Sequence, residues 1–354
     1  MPNKKLKLGI GIFLVLLIVS ACGKKEEKGQ ILTSPYSRRE FMMGTVINIK
    51  VYNEGKESAI DAAYHRIEEL DRKITVSEKG SEVDAINEAA GKEPVKVSDD
   101  VYYLIQEGLT YSASSDGSFD STIGPLTSLW HIGFDDAKKP TQAEINQVLP
   151  LIDYQKVTMD DENKTVFLQE AGMELDLGSI AKGYIADEVA KVLEDEGVTK
   201  AIVDLGGNLY MVGTNTKDKD WSVGIQDPFL TRGEIIGTIP ESNRSIVTSG
   251  IYERFVEVDG VKYHHLLDPK TGYPFTNDIV GVSIVSNKSI DGDALSTATF
   301  SKGIKGGMAY IEQFEDVEAI FVSVDKEVYI TSGLKDKFKL TNDNFVLKDI
   351  KDLK

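Results

Sequence analysis

The sequence predicts a folded region that mixes β-strands with helices, and its strand count agrees with an α+β chain. Three observations lead there. Residues 57–74 place Ile60, Ala63, Tyr64, Ile67, Leu70 and Ile74 at helical spacing, as in an amphipathic helix. Short runs rich in β-branched and aromatic residues recur along the chain. Two of them, Arg254 to Val258 and Val261 to Leu267, flank Asp259-Gly260, a type I′ hairpin signal. Glu174 to Asp187 runs from an apolar stretch through a glycine turn into a helical pattern. None of these fixes a topology.

The 354 residues, 41% of them hydrophobic, suffice for one elaborate domain or two fused lobes. The net charge of −17 argues against a nucleic-acid partner, which needs a basic surface, and against broad binding to anionic lipid. An anionic substrate would need a local remedy, and a divalent metal is one. The single cysteine, Cys22, leaves no disulfide within the chain and no thiolate metal site.

Residues 1–22 read as an export signal. Lys4, Lys5 and Lys7 precede the apolar run Leu8 to Val19, which is short for a membrane span, an uncleaved anchor with an incidental cysteine being the alternative to a cleaved signal. The run ends in Ile18-Val-Ser-Ala-Cys22-Gly23, which resembles a bacterial lipobox, where the cysteine is lipid-modified and becomes the mature N-terminus. The expected location is the extracytoplasmic face of the cell membrane, held by that lipid. Residues 23–36 are charged and aperiodic and read as a flexible tether, with the folded domain over 37–354.

Within that domain, Phe41 to Val51 is a strand in which Gly44 admits a close backbone approach or marks a bulge. His65 falls off the apolar stripe of helix 57–74 and is expected in solvent. Residues 81–90 form a short helix ended by Gly91, and Ser98 caps a helix through Ser114. The glycine- and hydroxyl-rich stretch Ser115 to Pro125 is a binding loop or a plain connection. Thr141-Gln-Ala-Glu144 is a capping box, and residues 156–159 and 164–169 pair as a hairpin.

The strand from Glu174 turns at Gly178 into a helix with Ala181, Tyr184, Ile185, Val189, Val192 and Leu193 on its apolar face. Its first N–H groups and Lys182 would suit an anion, although the spacing is neither Walker A nor GxGxxG. Ala201 to Tyr210 reads as a buried strand broken by Gly206-Gly207, and Trp221 to Gln226 and Ser245 to Gly250 as further strands. Neighbouring residues of a strand face opposite ways, so His264 and His265 do not form a paired metal site. Asp278 to Val285 is the next strand. Asp291 caps a helix in which Asp293 and Thr297, four apart, share a face with Ser296 beside them. Such hard oxygens suit Mg²⁺, which takes few protein ligands when phosphates complete its shell; a capped surface helix is the alternative. A helix near 306–314 and strands near 317–324 and 328–331 follow.

Taken together, Met43-Gly-Thr45, Leu175-Asp-Leu-Gly-Ser-Ile-Ala-Lys-Gly-Tyr184, Gly206-Gly-Asn208, Thr248-Ser-Gly250, His265-Leu-Leu-Asp-Pro-Lys-Thr-Gly-Tyr-Pro274 and Asp293-Ala-Leu-Ser-Thr297 resemble the motifs of the ApbE family. These are FAD:protein FMN transferases, often lipoproteins, and the motifs occur in the family's order across nearly the whole mature chain. The resemblance implies an α+β fold of mixed, largely antiparallel sheets flanked by helices, T-fold-like, with FAD in a cleft between lobes. It also implies Mg²⁺-dependent transfer of FMN, with FAD as substrate, to a Ser or Thr hydroxyl of an exported acceptor flavoprotein. A phosphoester forms and AMP is released. Read alone, the residues are compatible with this. Phosphoryl chemistry asks for metal and positioning, and the chain shows no GxSxG and no candidate cysteine nucleophile.

Carried over by position, Asp293 and Thr297 match the family's metal ligands, and Ser179 a position that contributes by side chain or carbonyl. Ser296 stands where some members have a carboxylate. Met43, Ser118, Phe119, Asp120, Asp176, Lys182 and Leu267 match positions lining the FAD site, whereas Ser77 stands where many members carry an aromatic ring. His265 matches the family's histidine near the pyrophosphate, as base or electrostatic support, and acts with Asp293 in catalysis. Two other functions remain open on this site: a Mg²⁺-dependent FAD pyrophosphatase, with water replacing the hydroxyl, and a lipoprotein that binds flavin without turnover.

Overall fold

The structure is a computed structural model and describes residues 30–76 and 79–353. The export signal, Cys22, the first part of the tether and Ser77 lie outside the described residues.

Strands β1 (Ile31–Met42) and β2 (Thr45–Asn53) form a hairpin, so regular structure begins at Ile31 and not near Ser37. The residues expected to end the tether instead pair with β2, from Ile31↔Asn53 to Tyr36↔Val51 across an irregularity in register. Pro35 hid this strand from the sequence. Proline is tolerated here because β1 is the edge of its sheet. What read as one strand over 41–51 is the second half of this hairpin, reversing at Met43-Gly44, both at positive φ.

Helix α1 (Ser58–Ile74) buries the expected stripe and leaves His65 in solvent. Next come α2 (Glu82–Glu88), β3 (Val95–Lys96) and α3 (Asp99–Ser114). Ser98 is the cap residue of α3 but makes no side-chain cap bond. Helix α4 (Gly124–Trp130) follows the glycine-rich loop, and α5 (Gln142–Val148) starts in the Thr141–Glu144 capping box, with both reciprocal bonds formed. Strands β4 (Val157–Asp160) and β5 (Thr165–Leu168) pair as expected. The strand expected from Glu174 is extended backbone with one isolated bridge to Ile123.

After α6 (Ala181–Asp195), β6 (Ala201–Leu205) and β7 (Asn208–Val212) form a second hairpin. Gly206-Gly207 does not interrupt one strand. Both residues have positive φ and turn the chain back on itself. The turn also lies hard against the first hairpin: a Cβ on Gly206 would run into the Thr45 hydroxyl.

Strand β8 (Trp221–Gln226) pairs with β9 (Ile235–Glu241), which the sequence did not disclose because Gly237 and Pro240 interrupt its pattern. Strands β10 (Ser245–Gly250), β11 (Phe255–Val258), β12 (Val261–His264) and β13 (Ile279–Ser286) come next. They lead to α7 (Ser289–Phe300), α8 (Gly303–Ile311), β14 (Glu318–Ser323), β15 (Glu327–Ile330), β16 (Lys339–Leu340) and β17 (Val346–Leu347). Helix α7 begins two residues before Asp291, which sits in its first turn rather than at its cap.

Nine strands form one sheet in the order β1-β2-β6-β7-β10-β13-β14-β15-β17, antiparallel except for the β15–β17 pair. Helices α1, α6 and α7 cover one face, with α7 across β10 and β13. The small sheet β16-β9-β8 covers part of the other through Trp221, Ile225, Ile236, Ile239 and Phe338. Strand β13 is accordingly buried along its whole length, as a strand covered on both faces must be. The fold is the expected α+β arrangement of mixed, largely antiparallel sheets flanked by helices. The register brings the turns at Met43-Gly44 and Gly206-Gly207 and the end of β10 to one end of the large sheet.

Candidate active site

That end of the sheet is where the quoted motifs meet. Gly44 has no side chain, so the Arg254 guanidinium approaches its backbone and donates from Nη2 to the Gly44 carbonyl at 3.1 Å. No carboxylate pairs with Arg254 among the described residues, which is notable in so acidic a chain. The Arg254 carbonyl in turn accepts from His265, through the backbone N–H and through Nδ1, both at 3.2 Å. A carbonyl only accepts, so Nδ1 carries the proton and Nε2 keeps its lone pair. Burial pushes the His265 imidazole down to about 4; the nearby charges of Arg254, His264 and Lys182 push the same way, against the carbonyl bond. His265 is therefore neutral at physiological pH.

His264 differs. Its Nε2 donates to Phe275 O at 2.9 Å, and its Nδ1 accepts from Leu266 N at 3.3 Å. Both nitrogens are occupied by the chain itself, and the ring packs edge-on against Phe300. The loop after it is self-braced: Asp268 accepts from Lys270 N and the Thr271 hydroxyl, and Trp130 Nε1 donates to Gly272 O.

Lys182 and Asp293 come together at the start of α6. Lys182 Nζ is 3.5 Å from Asp293 Oδ1, and Asp293 Oδ2 accepts the Gly183 N–H at 2.8 Å. One anion-seeking N–H of that helix start is thus already held by the protein's own carboxylate. Asp293 is 4% exposed, and nearly all of α7 around it is buried, so the alternative of a capped surface helix does not hold: α7 is a core helix with one polar corner.

A hard dication needs oxygens with unused lone pairs. Asp293 Oδ1 offers them. Thr297, one turn on and on the same face, makes no side-chain hydrogen bond among the described residues, nor does Ser179, and both are half-buried. These residues fit Mg²⁺. Ser296 does not: its hydroxyl is fully buried, donates to Asp293 O at 2.7 Å and shares a 2.8 Å contact with Ser249. It faces the sheet, which removes it from the ligand set. Among the described residues no three His, Cys, Asp or Glu side chains converge, so a metal here would rely on hydroxyls, carbonyls and substrate oxygens beside the Asp293 carboxylate.

Several predicted FAD-lining residues serve the scaffold. Phe119 packs in the main core, and Leu267 in a smaller cluster with Trp130 and Ile145. Asp120 accepts from Thr122 N and Oγ1 and from Tyr154 N, and burial pushes its carboxyl up against those bonds. Ser118 donates to Ser115 O. Asp176 accepts from Gly178 N at 2.8 Å and from the Thr127 hydroxyl at 2.7 Å, at the wall of a cleft of ≈ 290 Å³ shared with Asn87, Glu88 and Glu174. Its backbone N–H bonds Ser121 O, which joins the 118–122 loop to the segment before α6. Met43 stands at φ 54°, an uncommon conformation for a residue with a side chain.

Sequence reading missed Arg254 and Asn208. Asn208 is 2% exposed, and its amide nitrogen has no partner among the described residues. Arg254 gave no signal because it lies outside every motif; Asn208 was inside one, but nothing in the motif says that its amide is buried.

A sequence model of the ApbE family matches residues 43–321. The FAD:protein FMN transferase of Klebsiella pneumoniae (strain 342) is 39% identical over 314 residues, covering 89% of this chain and 97% of its own length. That of Treponema pallidum (strain Nichols) is 34% identical over 357 residues, covering 96% and 97%. Among solved structures, the ApbE protein of Thermotoga maritima aligns with a TM-score of 0.79 at 30% identity, over 86% of this chain and 99% of its own. The flavin transferase ApbE of Vibrio cholerae aligns with a TM-score of 0.75 at 25% identity, over 86% and 99%. Motifs, fold and full-length relatives agree, and this chain belongs to the ApbE family.

Proposed function

We propose that the protein is an FAD:protein FMN transferase that moves FMN from FAD to a Ser or Thr hydroxyl of an exported acceptor flavoprotein, using Mg²⁺ and releasing AMP. The observation that carries this reading is the Lys182–Asp293 pair at the first turn of α6, together with His265, which Arg254 O holds through Nδ1 and which feels the Lys182 charge. Pyrophosphate chemistry asks for positive charge, a carboxylate able to hold a metal and a neutral base, and in this reading Lys182 and Arg254, Asp293 and His265 would take those parts. Relatives with that activity in their names support the substrate assignment.

In the transfer, the acceptor oxygen bonds to the phosphorus of the FMN half while the P–O bond to the AMP half breaks. His265 Nε2 takes the acceptor's proton, because Nδ1–H is held by Arg254 O. Lys182 and Arg254 offset the pyrophosphate charge. Asp293 and Thr297, with Ser179, would hold Mg²⁺, which supplies Lewis-acid stabilisation of the departing phosphate. FAD would lie in a cleft between the sheet end and the loops around 118–122 and 265–274. Attachment to the outer face of the membrane through a lipid on Cys22 belongs to the same proposal.

The test follows the flavin. Full-length protein is incubated with FAD, Mg²⁺ and candidate exported acceptors, and covalent flavin is read by fluorescence and mass spectrometry alongside released AMP. Covalent flavin and AMP are expected in equal amounts. AMP with only free FMN would replace the reading by FAD hydrolysis, and neither product would leave flavin binding without turnover.

A further inference from the structure

Helices α6 and α7 cross at their first turns, and each caps the other. Asp293, in α7, accepts the N–H of Gly183, the third residue of α6, at 2.8 Å. Asp187, in α6, accepts the N–H groups of Ser289 and Ile290, the first two residues of α7, at 2.6 and 2.9 Å. A helix start leaves these N–H groups without partners of its own, and side-chain oxygens that accept from them hold it in place. The residue at the usual cap position of α7, Lys288, makes no side-chain cap bond. Gly183 and Asp187 are four apart and lie on one face of α6. Gly183 is what lets the helices touch: a Cβ there would strike the Ser289 carbonyl and come within 2.7 Å of Ile290 Cα.

We propose that Asp187 is a positioning residue for the metal and phosphate site, holding the start of α7 against α6 and so setting where Asp293 stands relative to Lys182. This rests on the reading of Asp293 as a Mg²⁺ ligand. The two carboxylates divide the work. Asp187 takes two N–H groups with both oxygens and holds the crossing. Asp293 takes one N–H with Oδ2, which orients Oδ1 toward Lys182 and leaves it open to a cation. Without Asp187 the first two N–H groups of α7 lose their acceptors, the helix start shifts or frays, and Oδ1 loses its fixed place.

The experiment compares wild type with Asp187→Ala and Asp187→Asn, the latter keeping one acceptor oxygen. Asp100→Asn serves as a comparator, because Asp100 bonds Tyr184 of α6 but not the crossing. Mg²⁺ binding in the presence of FAD is measured by calorimetry, and transfer is measured against Mg²⁺ concentration. Asp187→Ala should weaken Mg²⁺ binding by roughly 10- to 100-fold, as loss of a group that orients a ligand typically does. Half-maximal transfer should need correspondingly more Mg²⁺, while kcat at saturating Mg²⁺ changes much less. Asp187→Asn should show a smaller shift of the same kind, and it decides the matter if the alanine variant does not fold. Asp100→Asn should lower Tm with Mg²⁺ affinity unchanged. A fall in Tm with wild-type Mg²⁺ affinity in both Asp187 variants overturns the proposal alone. A wild type that binds no Mg²⁺ with FAD overturns the metal reading and this proposal with it.

Discussion

His264 and His265 are neighbours in sequence, and their hydrogen bonds give them separate work. His264 has both nitrogens bound to the chain, whereas His265 has one, with the other free beside Lys182 and Arg254. His265→Ala should therefore lower transfer by about 10²- to 10⁴-fold with little change in Tm. His264→Ala should instead destabilise the fold by about 1–3 kcal/mol, since it leaves buried partners unpaired. Because burial holds the His265 pKa near 4, below the ordinary 6.5, the neutral form persists to that pH and is lost only below it. The acid limb of kcat/KM should then lie closer to 4 than to 6.5; a limb at 6.5 would point to another base. Asp293→Ala should cost roughly a hundredfold or more in transfer rate, given several kcal/mol from metal assistance. It should also lower Tm, because the buried carboxylate caps α6. Asp293→Asn, which keeps an oxygen for Gly183, should recover the Tm and not the rate. Full activity of folded Asp293→Ala in EDTA would remove Asp293 from the mechanism.

At the scale of elements, the glycines show which turns are built for contact. Gly206 sits at φ 64° against Thr45 of the neighbouring hairpin, whereas Gly260, at φ 76°, has nothing near its missing side chain. Gly206→Ala should destabilise the protein by about 1–3 kcal/mol through overpacking and backbone strain. Gly260→Asn should be nearly neutral, because asparagine tolerates the left-handed region and the space is open. Chemical denaturation of both variants checks the pair, and equal effects would mean that the Thr45 contact is unimportant. The same comparison separates what a motif says from what it does. Asp259-Gly260 and Gly206-Gly207 both make hairpin turns, but only the second also joins two hairpins at the site.

Across the whole molecule, an ion network ties the helix layer together. Arg66 and Lys73 of α1 bond Asp100 of α3, Arg66 also bonds Glu188 of α6, and Tyr184 of α6 donates to Asp100 at 2.7 Å. Desolvation pushes the Asp100 carboxyl up, but the hydrogen bonds from Arg66, Lys73 and Tyr184 outweigh it and hold the pKa well below the usual range. A depressed carboxylate pKa stabilises the fold above the unfolded value, about 3.9, and that stabilisation fades as pH falls below it. Asp100→Asn should therefore lower Tm at pH 7, with the gap from wild type narrowing toward pH 3. A constant gap would assign the loss to packing. For the intact protein in its cell, Cys22→Ala should release soluble protein or leave an unprocessed precursor while catalysis by the purified protein is unchanged. Normal lipid labelling of that variant would refute the anchor.

Local pattern alone determined much of this protein. The α1 stripe, the Thr141–Glu144 capping box, the Asp259-Gly260 hairpin and the α+β class each depend on residues close in sequence, and each was legible there. The ordered motifs pointed to the family for the same reason. Where local pattern was interrupted, it misled: Pro35 concealed β1, Gly237 and Pro240 concealed β9, and the paired glycines read as a break rather than a turn. Only tertiary structure decided which groups have free atoms. Ser296 and Thr297 are adjacent on one helix, yet one hydroxyl is bonded inside the sheet contact and the other is not. Asp187 and Asp293 are 106 residues apart, from positions 187 and 293, and become partners because two helix starts, each lacking acceptors of its own, meet where Gly183 lets them touch. A hydrogen bond between distant segments leaves no periodicity in a sequence, so this pairing appears only when the chain is folded.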